Sequence, residues 1–323
     1  MTTRRDLLLA LAGFSSASLL PRIAMAGGTL RLSGRAFGTN WRVTLANVPD
    51  ASGLADRISA ILDAVDREMS PFRADSELGL LNAAADTEWH EVSAAFCKVA
   101  RAAQAMQAES GGAFDPRVGP AVHRYGFGPI EGQRAASGAE FEIHGTRIRK
   151  GDARLTLDLC GIAKGHAVDR VAAHLTEHGH ADFLIDIGGE FAARGIRPDG
   201  AGWRVGIEDP LTGGVRRVVA LGDRALATSG DRVNGYTHAD RRYSHTIDPA
   251  TGEPVRTEVA SVSVVAGDAM TADALATALL VMGPERGMAL ADKHGAGAFF
   301  LLRAGDGLAG IDNSAFRTIS LEA

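Results

Sequence analysis

The residues best placed to do chemistry sit in short polar segments beside apolar ones. In MTADALATALLVMG (270–283), Asp273 and Thr277 stand four apart in an otherwise apolar helical run, so both oxygens fall on one helix face. A carboxylate and a hydroxyl aimed at one point, with backbone carbonyls and phosphate oxygens completing the shell, suit magnesium, which takes about six oxygen ligands. The same spacing also serves a capping aspartate and a threonine bonded to its own backbone. In YSHTIDPATGEPV (243–255), His245 and Asp248 precede a Pro-Ala-Thr-Gly turn. An imidazole that titrates near neutrality is the best candidate proton acceptor in the chain, with a structural role for the turn as the alternative.

Four further segments supply backbone groups, polar side chains and rings. LDLCGIAKGHAVD (157–169) reads as a buried strand ending at Asp158 and a helix starting near Ile162. Its amides at Gly161 and Gly165 form an anion site to which Lys164 adds charge, and Asp158 can accept a hydrogen bond from a ligand. A plain helix start with a capping Asp and a solvated Lys is the simpler reading. ATSGD (227–231) offers Thr228 and Ser229 hydroxyls to a phosphate. GGAFDPRVGPAVHRYGFG (111–128) holds five glycines, two prolines and three aromatics in 18 positions. Such a loop is ordered, and Phe114, Tyr125 and Phe127 either stack on a flat ligand or plug the core. DIGGE (186–190) ends a strand, and Asp186 is read there as tying its own loop together.

The elements that must position these residues follow from periodicity. Helical spacing joins Leu54, Ile58, Ile61, Leu62, Val65 and Met69, then Phe96, Val99, Ala103 and Met106 up to Gly111-Gly112, then Ala167, Val168, Val171 and Leu175 up to Gly179. A fourth helix is predicted over 271–282, stopped by Gly283-Pro284. Strands are predicted over 41–45, 183–187, 203–207, 215–221, 261–265, 298–302 and 318–321. Helices and strands mix without regular alternation, which predicts an α+β fold with packed helices and a mixed, largely antiparallel sheet.

Composition sets the outer bounds. The 323 residues carry a net charge of −5 and 46% hydrophobic side chains, a globular balance with no electrostatic footprint for nucleic acid. Arg4 and Arg5 precede an apolar stretch from Leu7 to Leu20, and Ala24-Met25-Ala26 follows. That pattern reads as an export signal over 1–26 of the twin-arginine type, leaving a single domain over 27–323 in the periplasm, without stable membrane insertion. The stretch falls short of the roughly 20 apolar residues of a membrane span. Cys97 and Cys160, the two cysteines, are read as packed thiols, with no disulfide specified.

Taken in order, FGTNWRVTL (37–45), MSPFRADSELGLLN (69–82) and all the polar segments above resemble the ApbE family of FAD:protein FMN transferases. The resemblance implies an ApbE-like, T-fold-related architecture and Mg²⁺-dependent transfer of the FMN half of FAD to a Thr or Ser hydroxyl. The acceptor would be an FMN-binding domain of a membrane-anchored redox protein, and AMP would leave. It implies Asp273, Thr277 and the Gly161 carbonyl as metal ligands. Phe37, Phe72, Ala113, Phe114, Asp115, Asp158, Lys164, Thr228, Ser229, His245 and Ile247 would contact FAD. Phe37 stands where the family usually has Met, and Phe72 where some members place Tyr against the flavin. His245 is assigned as the base that takes the acceptor's proton, with Asp248 orienting it or the loop. A flavin-storage protein and a FAD pyrophosphatase giving FMN and AMP are the alternatives.

Overall fold

The computed structural model describes residues 22–26, 28–48, 51–132, 138–232, 235–239, 241–255 and 258–321. Residues 1–21, the greater part of the export segment, lie outside the described residues.

Nine strands form the main sheet: β1 (Arg22–Ala26), β2 (Thr29–Ala36), β3 (Thr39–Ala46), β4 (Phe183–Ile187), β5 (Glu190–Arg194), β6 (Ala225–Gly230), β7 (Val259–Ala266), β8 (Gly297–Ala304) and β9 (Gly307–Asp312). They lie side by side in chain order, every neighbour antiparallel. β1, from the end of the predicted export segment, pairs along β2, so cleavage after Ala26 would leave β2 at the edge. The helices are α1 (Leu54–Met69), α2 (Glu77–Ala83), α3 (Ala94–Glu109), α4 (Gly119–Arg124), α5 (Ala163–Glu177), α6 (Ala269–Lys293) and α7 (Ser314–Arg317). α1, α3, α5 and α6 supply the apolar side chains of the larger core over one sheet face. A small sheet of Arg204–Glu208, Val215–Ala220 and Ser320–Leu321, with α7, covers part of the other.

Strand β7 shows how the sequence makes both layers. Val262 and Val264 point into the helical core, while Val265 belongs to the second cluster. All eight β7 residues are therefore buried, as a central strand covered on both faces requires.

The helix predicted over 271–282 does stop at Gly283, which leaves helical geometry (φ 75°, ψ 175°), and a second helical stretch follows at once from Pro284 to Lys293, because proline is well suited to a first helical turn. Two expectations change. Thr318 and Ile319 are not strand. Asn313 caps α7 by accepting from Phe316 N–H at 3.0 Å, and only Ser320–Leu321 pairs beyond it. The segment before Asp158 joins no ladder. Asn82 takes a strand's place, accepting from the Leu157 amide and donating to its carbonyl, both at 2.8 Å.

The α5–α6 contact depends on Gly165. A Cβ there would lie 2.2 Å from the Ala269 carbonyl oxygen and 2.8 Å from Asp273 Cβ, so no other residue permits the approach that brings Asp273 to the turn before α5.

One turn of α5 also sets a pH dependence. His166 is 3% exposed, and neither ring nitrogen has a hydrogen-bond partner. Burial, aided by Lys98 and Arg170, lowers its pKa to about 4. The unfolded chain therefore takes up a proton from pH 6.5 downward while the folded one does not, and this contribution to stability is lost as pH falls toward 4. Asp169 works in the opposite sense. Burial raises it to about 6, despite the amides of Ala269 and Met270, so it favours the fold on acidification. His166→Leu removes only the first effect. In urea unfolding at pH 7 and pH 4.5, the variant should gain roughly 2 kcal/mol on the parent between the two values. An unchanged difference would show His166 to be solvated in the folded state.

Candidate functional site

The site gathers where α6 and the turn before α5 meet the end of β6. Asp273 is 4% exposed in mid-helix, and its Oδ2 accepts the Gly165 amide at 2.9 Å. It is not a cap: the α6 cap is Asp268, which accepts from Thr271 N–H at 2.8 Å. One turn on, Thr277 Oγ1 lies 3.4 Å from Ser229 Oγ. A Cβ on Gly161 would come within 3.0 Å of Thr277 Oγ1 and 3.2 Å of the Phe114 ring, so this backbone lies directly against the hydroxyl. Asp273, Thr277, Gly161, Ser229 and Phe114 thus form one cluster from four separate segments.

Lys164 is half-buried and paired. Its ammonium meets Glu190 Oε1 at 2.5 Å, and Glu190 is 2% exposed. Burial pushes Glu190 up to about 8 against the pull of Lys164. Burial disfavours the Lys164 ammonium, but the Glu190 and Asp273 carboxylates outweigh it and hold its pKa above the ordinary value. Burial likewise raises Asp273. Glu190 pairs directly with the ammonium, and Asp273 lies close enough to act on it electrostatically. Glu190 stood in the DIGGE segment, but its 26-residue separation from Lys164 hid the pairing. Asp186 does tie its loop, accepting the Gly189 amide at 3.2 Å.

Other predicted residues are placed differently. Thr228 and Ser229 lie on opposite faces of β6: Ser229 faces α6, whereas the Thr228 hydroxyl meets Ser263 at 2.8 Å on the other side. Asp115 is 8% exposed and its carboxylate is held by Arg117 at 2.8 and 2.9 Å. Phe114, 3% exposed, plugs the core and has no free face for a ring; Ala113 precedes it in the same turn. Asp158 does not cap α5. Its Oδ1 accepts the Cys160 amide at 2.9 Å, closing the turn that carries Gly161. Ile247 is 3% exposed, so its side chain belongs to the core. Asp248 binds its own turn through the Ala250 amide at 2.9 Å, not the imidazole of His245. Cys97 is buried as expected, but Cys160 is exposed, and the two form no disulfide.

Phe37 and Phe72 both sit in turns, but the half-buried Phe37 ring packs against the larger core while Phe72 presents its ring. Phe37 and Gly38 both have positive φ (52° and 72°) in the two-residue turn between β2 and β3. That turn favours Asn-Gly, so a phenylalanine there costs on the order of 1–2 kcal/mol. Such strain is retained where a site needs it. Phe72 is 70% exposed.

Among the described residues, no three His, Cys, Asp or Glu side chains converge as a metal centre. The Asp273 cluster offers one carboxylate and the Thr277 and Ser229 hydroxyls instead, oxygen donors that fit a hard cation such as Mg²⁺ and not a soft one.

The sequence model of the ApbE family matches residues 37–300. The chain belongs to the ApbE family. It is 36% identical to the FAD:protein FMN transferase of Vibrio cholerae, with 97% of this chain and 98% of that one aligned. The Klebsiella pneumoniae FAD:protein FMN transferase is 32% identical over 89% of this chain and 88% of its own. Among solved structures, the flavin transferase ApbE from Vibrio cholerae superposes with a TM-score of 0.81 at 33% identity, covering 92% of this chain and 100% of that one. The apo flavinyl transferase ApbE of Pseudomonas stutzeri gives 0.80 at 34% identity, covering 93% and 97%. The α+β architecture of this ApbE chain is therefore shared along nearly its whole length. Among the described residues, no helix is long and apolar enough to cross a membrane.

Proposed function

We propose that this chain is a FAD:protein FMN transferase that moves FMN from FAD to a Thr or Ser hydroxyl of an extracytoplasmic FMN-binding domain, releasing AMP. The observation that carries this reading is the buried Asp273–Thr277 pair packed on the Gly161–Gly165 turn, in a chain aligned end to end with proteins of that name. Asp273, Thr277 and the Gly161 carbonyl would hold Mg²⁺, which when bound supplies positive charge to offset the pyrophosphate. The acceptor oxygen forms a bond to the phosphorus on the FMN side, the bond from that phosphorus to the bridging oxygen breaks, and the bridging oxygen leaves with AMP. His245 takes the hydroxyl proton. The exposed ring of Phe72 and the strained Phe37 turn supply apolar surface for the flavin. Ser229, on the α6 side of β6, offers its hydroxyl to a phosphate oxygen.

Arg4, Arg5 and the apolar stretch to Leu20 support export by the twin-arginine route to the periplasm. The acceptor proposed there is a domain of a membrane-anchored redox protein.

Incubation with FAD and Mg²⁺, with and without a purified FMN-binding domain, tests the assignment. Fluorescence that stays on the acceptor after denaturation, with AMP released in equal amount, is expected. AMP with free FMN and no covalent flavin would make the protein a pyrophosphatase, and binding without AMP a storage protein.

A further inference from the structure

The segment that delivers His245 is fastened from one place, the C-terminal end of α4. Gly126 (φ 82°) terminates that helix, its amide donating to the His123 carbonyl at 2.8 Å and the next amide, of Phe127, to the Val122 carbonyl at 3.2 Å. This paired closure is a Schellman motif, which needs a left-handed residue at Gly126. The His123 ring then bonds the Gly128 carbonyl at 2.8 Å, so the backbone is held on both sides of Phe127. The direction in which Phe127 points is thereby set by the helix end.

It points at the imidazole. The Phe127 ring lies edge-to-face with His245, centroids 6.3 Å apart at 69°, within the favourable range for such pairs. One face of Phe127 is covered by Tyr236, at 5.2 Å and 26°. Tyr236 in turn stacks on Tyr243, its register partner across the Gly235–His238 and Arg241–Ser244 hairpin, at 5.2 Å and 18°. Tyr125 adds a contact to Tyr243 at 6.3 Å. The hairpin is anchored below by the buried Asp231 carboxylate, which binds Arg242 at 2.9 Å and Arg303 at 2.8 Å. Beyond His245, Arg124 of the same helix end donates to the Gly252 carbonyl in the turn that Asp248 organises.

We infer that Phe127 is a positioning residue for His245: the capped end of α4 holds the ring that fixes the imidazole, and Arg124 steadies the turn that follows. The inference rests on the proposed role of His245 as base and goes beyond it. A ring edge on one side leaves the imidazole fewer rotamers, so the nitrogen that meets the acceptor hydroxyl is oriented before the acceptor arrives.

The test is a double-mutant cycle on the full-length mature enzyme, read by single-turnover FMN transfer, FAD affinity and melting temperature. Phe127→Leu should lower transfer about tenfold with FAD affinity unchanged, and Phe127→Tyr should restore it to within about twofold. In a His245→Ala background, Phe127→Leu should cost nothing further, a non-additivity that a general loss of packing would not produce. If Phe127→Leu folds poorly, Arg124→Gln, at an exposed position, serves instead, with a loss of about threefold that is also absent without His245. An equal loss in both backgrounds, or none in either, overturns the inference. A wild-type rate for His245→Ala alone would remove the base assignment itself, whereas a loss for His245→Ala with none for Phe127→Leu removes only the positioning role.

Discussion

Asp273→Asn is expected to lower magnesium-dependent FMN transfer by about 10²- to 10³-fold, the range for removing one preorganised electrostatic group from an active site. The fold should survive. Asparagine fills the same volume, and its carbonyl oxygen can keep the Gly165 amide that Asp273 now binds at 2.9 Å. Lys164 and Glu190 remain as a neutral pair at 2.5 Å, so no buried charge is orphaned. Because burial already raises the Asp273 carboxyl, removing its charge should leave the metal-free protein at least as heat-stable as the parent. What the variant loses is the anion that offsets a divalent cation, so its melting temperature should stop responding to Mg²⁺ in the concentration range that stabilises the parent. Thr277→Val deletes one neutral ligand and should cost about tenfold, near the low end of what such shell changes do. If Asp273→Asn kept the parent's rate and magnesium response, the cation would have to be held elsewhere.

What the sequence reveals of this site follows the range of the interactions involved. Asp273 and Thr277 were legible because a helix fixes their relation locally: four residues apart is one face wherever the helix lies. The Ser229 hydroxyl was legible as chemistry, but the strand that carries it was not. Ala225–Gly230 is rich in small residues and lacks the β-branched alternation that marks strands, so the opposite facing of Thr228 and Ser229 could not be read. Lys164–Glu190 and Asp115–Arg117 were both missed, for different reasons. The first joins residues brought together only by the crossing of α5 over β5. The second is local, yet nothing in the order Asp-Pro-Arg distinguishes a carboxylate turned back on its own chain from one turned to a ligand. The turn at Asp158 sits between these cases. Its carboxylate was expected to face FAD or cap the helix, and it closes the turn before the helix instead, which serves the site by holding Gly161 against Thr277.

The sheet follows the same logic at larger scale. Strands with strong apolar alternation, such as Phe183–Ile187, were predicted at their observed bounds. β9 was missed because its GLAGID sequence carries glycines and sits on the outer edge, where its pairing with β8 does the work that propensity does not. Chain-order pairing of all nine strands brings β5 beside β6, with α5 and α6 over one face. Glu190 of β5 and Ser229 of β6 are thereby set beneath the turn and helix that hold Lys164, Gly161 and Asp273. The cluster is therefore a product of topology, with the Asp273–Thr277 spacing written locally.

His245→Ala should leave FAD affinity within about twofold of the parent and lower single-turnover transfer by the 10²- to 10⁴-fold typical of losing a general base. The turn after it has fastenings of its own: Asp248 closes it through the Ala250 amide at 2.9 Å and the Gly252 amide at 2.7 Å, and Arg124 holds it from outside. Removing the ring takes away its edge contact with Phe127 and leaves the Phe127–Tyr236–Tyr243 stack in place, so melting temperature is measured beside rate and affinity. A base must be neutral to accept a proton, so transfer by the parent should fall on the acid side of its profile, and the variant's residual rate should lack that limb. Added imidazole should restore part of the rate if the missing ring leaves a space beside Phe127. If rate, FAD affinity and melting temperature all fall together, His245 holds the hairpin end in place and the proton goes elsewhere. Normal transfer at neutral pH would remove it from the mechanism and make Asp248 the next candidate, for which Asp248→Asn would be read in the same three measurements.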